Sequence, residues 1–229
     1  MKITWIGQSG YQLKSGSGEI IIDPYLSDVV ERVAGRARMV AAPIEPANIC
    51  ADAVICTHDH LDHLDPDAIA DMPENTVFYT TPEGTEKIIS LGKKNVHALK
   101  QGDSVQIGDF RITAVFADHT VEAMGLIVEA EGFRLYFSGD TLFNEKLFEI
   151  SAFEPDAAFL CINGKLGNMD TDEAIQVARN IGAKINVPNH YGMFASNTAD
   201  PEVFTAAIEN GRIMEMGKVY EFDKLLSGI

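Results

Sequence analysis

Apolar residues fall in short blocks along the first part of the chain, and glycines break them at close intervals. Residues 2–7, 10–14 and 18–23 read as three strands divided by Ser9-Gly10 and by Ser15-Gly16-Ser17-Gly18, so the chain opens as a β-meander. The third block ends in Ile20-Ile21-Ile22-Asp23-Pro24, and from 24 to about 51 the pattern dissolves into a connector containing proline and alanine. A connector of this length is usually functional or mobile. The pattern resumes at Asp52-Ala53-Val54-Ile55-Cys56, a short apolar run that predicts a buried strand. Asp65-Pro66 then caps a short helix, and Thr81-Pro82 opens a second running to about Ser90. Strands are predicted at 95–98, 104–107, 110–117, 123–130 and 133–137, and a helix over 144–151. A strand at 157–162 follows. Asp170 and Glu173, at capping-box spacing, start a helix to about Ile181. Residues 184–187 form the next strand, Asp200-Pro201 starts the last helix, and 212–222 holds one or two final strands. Strands and helices that recur in each half suggest two sheets packed face to face with helices outside.

Composition narrows the class. A chain of 229 residues with 46% hydrophobic residues can bury a sizeable core, and without a linker-like or low-complexity tract we expect a single domain over 1–229. The net charge of −16 argues against nucleic acid and against an anionic membrane, since both need clustered cations. The N-terminus Met1-Lys2-Ile3-Thr4-Trp5-Ile6-Gly7 lacks a long apolar signal region, and no stretch reaches membrane-spanning length. Cys50, Cys56 and Cys161 are odd in number, and the last two lie in apolar runs. A reduced, cytoplasmic setting is expected, and a homo-oligomer is left open.

Chemistry is concentrated at Thr57-His58-Asp59-His60-Leu61-Asp62-His63-Leu64-Asp65, which carries half of the six histidines. Rings and acids packed this closely compete for hydrogen bonds unless a cation collects their lone pairs. The strand before them delivers the loop. Three further polar residues follow apolar strands in the same way: His119 after Val115-Phe116-Ala117-Asp118, Asp140 after Phe137-Ser138-Gly139, and His190 after Val187-Pro188-Asn189. Imidazole and carboxylate suit zinc, manganese or iron, and a mixed shell can hold two cations if one carboxylate bridges them. A structural zinc site would be rich in thiolate, and no cysteine lies in these segments.

The His58-x-His60-x-Asp62-His63 run together with His119, Asp140 and His190 resembles the metallo-β-lactamase fold superfamily, over nearly the whole chain. That resemblance implies an α/β fold, an αββα sandwich of two mixed β-sheets with helices on the outer faces and metals at one rim. It implies that His58, His60 and His119 hold one divalent metal ion, zinc or manganese, that Asp62, His63 and His190 hold the other, and that Asp140 bridges them. Trp5-Ile6-Gly7-Gln8-Ser9-Gly10, Asn163-Gly164-Lys165-Leu166-Gly167-Asn168-Met169 and Val187-Pro188-Asn189-His190-Tyr191-Gly192-Met193-Phe194 resemble the branch containing L-ascorbate-6-phosphate lactonase. That lactonase is longer, so insertions that shape its pocket are expected to be missing from this chain.

The resemblance implies a metal-dependent, lactonase-like hydrolase in which two cations about 3.5 to 4 Å apart make hydroxide available near neutral pH to attack a small anionic ester or lactone, with a sugar-phosphate lactone the leading candidate. Asp62 and Asp140 are the catalytic candidates, Asp62 also handling the displaced proton. Arg32, Arg36 and Arg38 form a local basic patch on the connector, and with Lys165 they could clamp a phosphate or carboxylate of the substrate; one solvated helix face is the plainer reading. Asp23 is expected to accept hydrogen bonds from the ligand loop, Asp65 to cap a helix, Asp59 to face solvent or orient a ligand, and His97 to be a surface or satisfied histidine. A phosphodiesterase or nuclease of the same fold and a di-iron redox protein are the rival functions.

Overall fold

The computed structural model describes residues 1–228. The opening meander forms as strands β1 (Lys2–Gly7), β2 (Gly10–Lys14) and β3 (Glu19–Ile22), each antiparallel to the next. Parallel strands β4 (Ala53–Ile55), β5 (Phe78–Thr80) and β6 (Val96–Ala98) extend that sheet on one side. On the other side β1 pairs antiparallel with β13 (Val219–Glu221), giving the order β13-β1-β2-β3-β4-β5-β6. The second sheet has the order β12-β11-β10-β9-β8-β7. Its strands β7 (Ser104–Ile107), β8 (Phe110–Val115), β9 (Gly125–Ala130) and β10 (Phe133–Phe137) are antiparallel, and β11 (Ala157–Cys161) and β12 (Ile185–Asn189) continue parallel to β10. Both sheets are therefore mixed.

Alternation along the strands sorts the side chains into layers. Tyr11 of the first sheet meets Phe137 and Phe159 of the second at ring-centroid distances of 5.1 and 4.9 Å, and the two phenylalanines stack at 4.5 Å. Burying each such ring stabilises the sandwich by about 1.5–3 kcal/mol. Ile21, Val54 and Cys56 point the other way, against helices α2 (Pro66–Asp71) and α3 (Pro82–Ser90). On the far side α4 (Thr171–Ile181) presents Ala174, Val177 and Ala178 to the second sheet. Its capping box between Asp170 and Glu173 is formed. The result is the expected αββα order, and no helix among the described residues is long and apolar enough to cross a membrane.

Several elements differ from the sequence reading. The 24–51 connector is not patternless: it holds helix α1 (Val29–Ala34) and a 3-10 turn at Pro46–Asn48, and buries Tyr25, Leu26, Val29 and Val30. Leu26, Val29, Val30 and Val33 do have helical spacing, but α1 is only six residues long and the prolines and alanines around it carry no period. The helix over 144–151 is a 3-10 helix, Glu145–Phe153. Strand β5, between α2 and α3, is an addition to the predicted strands. The helix α5 (Pro201–Ala206) is followed by α6 (Phe222–Ser227), so it is not the last, while 212–222 holds one strand, β13, as expected.

Candidate metal centre

Four strand ends meet at one rim of the sandwich: β4 leads into the histidine loop, β8 into His119, β10 into Asp140 and β12 into His190. Asp23, just past β3 with φ 44°, fastens the loop. Its carboxylate accepts from the Thr57 backbone N–H and hydroxyl, both at 2.7 Å, and from His63 Nδ1 at 2.8 Å. The His60 carbonyl accepts from the backbone N–H groups of His63 and Leu64 at 3.0 and 2.8 Å. This curl brings the imidazoles of His58, His60 and His63 together, with the His58 ring 4.7 Å from His60 and 4.0 Å from His63.

The nitrogens and oxygens converge in three overlapping groups. His58, His60 and His119 form one, His58, His63 and Asp140 a second, and Asp62, His63 and His190 a third, with the ligand atoms in each within 4.8 Å of one another. His60 Nδ1 lies 3.0 Å from His58 Nε2 and 3.1 Å from His119 Nε2. His119 donates from Nδ1 to the Gly167 carbonyl at 2.9 Å, which leaves its Nε2 as the lone pair. Likewise His63 donates from Nδ1 to Asp23, and its Nε2 faces Asp140 Oδ1 at 3.2 Å. His190 Nε2 is 3.2 Å from Asp140 Oδ2 and 3.4 Å from Asp62 Oδ2. Asp140 thus stands between the groups, and Asn168 Nδ2 donates to its Oδ2 at 2.8 Å.

A divalent cation fits this donor set. His63 Nε2 and Asp140 Oδ1 are enclosed and make no hydrogen bond, although a nitrogen lone pair facing a carboxylate oxygen is repulsive unless a positive charge lies between them. The set contains nitrogen and oxygen only, which suits zinc or manganese.

Electrostatics agree. Burial, reinforced by the neighbouring His63, holds His58 well below the usual imidazole range, and burial with His119 lowers His60, so both are neutral and free to ligate. Burial would also lower His63 and His190, yet the carboxylates outweigh it: Asp140, Asp23 and Asp62 raise His63 well above its ordinary value, and Asp140 and Asp62 push His190 up to about 9. Asp62 and Asp140 lie below the usual carboxylate range because the charges of His63 and His190 outweigh desolvation. In the metal-free protein, protons on His63 and His190 supply the positive charge this corner requires.

Above the centre opens a cavity of about 440 Å³ with walls that include Val30, Ala34, Leu61 and Leu166 and a floor that includes Asp62, Asp140 and His190. Of the four residues expected to clamp an anion, only Arg36 lines it. Arg32 points away and pairs with Asp67 at 2.6 Å. Arg38 folds over the Tyr25 ring at 4.9 Å and donates to the carbonyls of Val40, Ser27 and Tyr25, so it braces the connector. Lys165 donates to the Ser196 carbonyl at 3.0 Å. Asp59 neither faces solvent nor touches a ligand: it is buried and pairs with Lys87 at 2.5 Å. His97 is exposed and stacks on Tyr79. Asp65 caps α2 and also accepts from the backbone N–H groups of Leu26 and Ser27, tying the connector to the ligand loop.

Three contributors lie in the segments 5–10 and 163–169 that carry the resemblance, but nothing there marks them individually as parts of the site. Gln8 Nε2 reaches Asp62 Oδ2 at 2.7 Å, Asn168 holds Asp140, and Gly167 packs under His119, where a Cβ would stand 2.9 Å from the ring. Amides and glycines are too common in turns for type or spacing to single them out.

A family model described as a beta-lactamase superfamily domain matches residues 2–190. A UPF0173 metal-dependent hydrolase of Archaeoglobus fulgidus is 28% identical over 98% of this chain and 100% of its own length. Another, of Rubrobacter xylanophilus, is 30% identical over 89% of this chain and 86% of its own. Among solved structures, a metallo hydrolase from Ignicoccus hospitalis superposes with a TM-score of 0.80 at 24% identity, covering 96% of this chain and 98% of that one. An isothiocyanate hydrolase from Delia radicum gut bacteria gives 0.80 at 22%, covering 97% and 99%. With its two mixed sheets, its histidine and aspartate rim and a family match over most of its length, the chain belongs to the metallo-β-lactamase superfamily.

Proposed function

We propose that this protein is a metal-dependent hydrolase with two divalent cations, zinc or manganese, that opens a small ester or lactone carrying an anionic group, a sugar-phosphate lactone being the leading candidate. The observation that carries the reading is the convergence of three ligand groups, joined through His58, His63 and Asp140, on the floor of a cavity of small-molecule size. His58, His60 and His119 would hold one cation and Asp62, His63 and His190 the other, with Asp140 between them. When bound, such a pair supplies an activated water and polarises the substrate oxygen.

The chain's own residues do the remaining work. Asp23 and Gly167 fix the tautomers of His63 and His119, which keeps the lone pairs aimed inward. Asn168 holds one oxygen of Asp140. Asp62 is ionised and lines the cavity, where its carboxylate would take up the proton released as water attacks. Arg36 supplies the positive charge at the cavity wall that would seat an anionic group. The acidity of the chain supports small molecules over nucleic acid as substrates.

A second reading rests on the other walls. Val30, Ala34, Leu61 and Leu166 suit an uncharged apolar electrophile, the kind of substrate that the isothiocyanate hydrolase is named for.

Elemental analysis of the purified protein, followed by a panel of sugar-phosphate lactones, neutral lactones, phosphodiesters and isothiocyanates with metal restored, tests both. Two equivalents of zinc or manganese and turnover of anionic lactones are expected. Turnover of phosphodiesters alone, or stoichiometric iron that cycles with a reductant, would overturn the reading as an ester or lactone hydrolase.

A further inference from the structure

We infer that Gln8 is itself a ligand, contributing its side-chain oxygen to the cation held by Asp62, His63 and His190. The inference rests on the two-cation reading above and adds a residue to it.

Gln8 occupies the turn between β1 and β2, fully buried, with φ 50°. Its carbonyl accepts from Trp5 Nε1 at 2.9 Å, which pins the turn. Gly7 before it has φ 102°, and a Cβ there would stand 2.8 Å from Met193 Cε, so the turn has little freedom to move. The amide is thereby driven into the metal centre. Its Nε2 lies 2.7 Å from Asp62 Oδ2 and 3.0 Å from His190 Nε2, and among the described residues the side chain makes no polar contact outside those two residues. The other amide atom, Oε1, is enclosed and has no hydrogen-bond partner.

A glutamine kept only for packing would be expected to satisfy both ends of its amide, because a buried acceptor without a donor is destabilising. The two ends of an amide are nearly isosteric. Turned about its last torsion, Gln8 would bring the oxygen to the place the nitrogen now holds, beside the carboxylate oxygen of Asp62 and the ring nitrogen of His190. Three lone pairs meeting there repel one another without a cation and attract one strongly. One side chain therefore serves two states: without a cation its N–H donates to Asp62, and with one its oxygen binds. A neutral amide oxygen is an ordinary ligand for manganese and is compatible with zinc.

The test uses the full chain, stripped by a chelator and titrated with Co²⁺ and with Mn²⁺ by calorimetry, with the visible absorption of cobalt as a second readout. Two ions should bind to the unaltered protein. In Gln8→Ala the first should bind as before while the second weakens at least tenfold and its cobalt bands shift. Gln8→Glu should tighten the second ion, because it presents a charged oxygen at the same place. If Gln8→Ala does not fold, as judged by circular dichroism, Gln8→Asn keeps the amide but shortens its reach and should also weaken the second ion. Unchanged affinity and spectrum in Gln8→Ala, or in the Asn variant used in its place, would overturn the assignment. So would weaker binding in Gln8→Glu, since that is the behaviour of a residue that serves only as an N–H donor to Asp62. Fewer than two ions in the unaltered protein would instead overturn the two-cation reading, and the assignment with it.

Discussion

His63 donates from Nδ1 to Asp23 Oδ2 across 2.8 Å, although forty residues separate them, and both side chains are buried. The carboxylate can only accept, so the hydrogen is fixed on Nδ1 and the lone pair on Nε2, where a cation would be held. Asp23→Asn offers a donor at the same place and invites the opposite tautomer. We expect it to lower affinity for the second cation by about 10- to 100-fold while leaving the fold intact. Metal titration beside a thermal melt checks this, and unchanged affinity would remove Asp23 from any role in the site.

Stability of the metal-free protein should depend on pH in a stated way. His190 rises from 6.5 to about 9 on folding, and His63 rises too, so their contribution is complete below about pH 6.5 and is lost as pH rises through 9. Asp62 and Asp140 are lowered from 3.8, so theirs is present above that value and is lost as pH falls below it. His58 and His60 are lowered instead, so they cost stability as pH falls below 6.5, and the chelator-treated protein should melt highest near pH 6.5. Saturating zinc displaces the imidazole protons, so its gain in Tm should be larger at pH 9 than at pH 6. A metal-free Tm that stays level from pH 6 to 9.5 would contradict the proton-for-cation balance.

Gly167→Ala strikes His119 from below. The residue has φ 92°, and its new methyl carbon would lie 2.9 Å from His119 Nδ1 and 2.8 Å from the Thr120 methyl. Strain of about 1–3 kcal/mol is expected, relieved by displacement of the His119 ring. The first cation should weaken more than the second, which cobalt absorption resolves; equal loss of both would point to general misfolding.

The three connector arginines should separate cleanly. Arg36→Ala removes the guanidinium at the cavity wall and should raise KM for anionic substrates about tenfold or more, on the scale of a charge-assisted hydrogen bond, while sparing neutral analogues. Arg32→Ala breaks an exposed pair with Asp67 and should change neither kinetics nor Tm appreciably. Arg38→Ala frees three backbone carbonyls and uncovers Tyr25, so Tm should fall with KM altered only through the connector. Steady-state kinetics on one charged and one neutral lactone decide among them.

His60→Ala and Asp140→Asn each delete a candidate ligand, and both are expected to abolish turnover. Undiminished turnover in either variant would exclude a two-cation mechanism.

Which features the sequence exposes follows from how far apart their partners lie. His58, His60, Asp62 and His63 fall within six consecutive positions, so crowding alone marks them as candidate ligands. His119, Asp140 and His190 are legible because each follows an apolar strand; β10, β11 and β12 run parallel and β8, two reversals away through β9, runs the same way, so their C-terminal ends reach one edge. Capping residues such as Asp65 and Asp170 act within a turn of their own helix and could be read directly. Local physics thus determined the strands, the caps and the ligand candidates. The tertiary structure alone decided that Arg32 is taken up by Asp67 and Arg38 by the connector's own carbonyls while Arg36 faces the cavity. It alone aimed Gln8 into the centre and set Asn168 on Asp140, since those contacts join residues 54 and 28 positions apart. An amide or a guanidinium can bond to almost any polar neighbour, and only the packing of the two sheets determines which neighbour it meets.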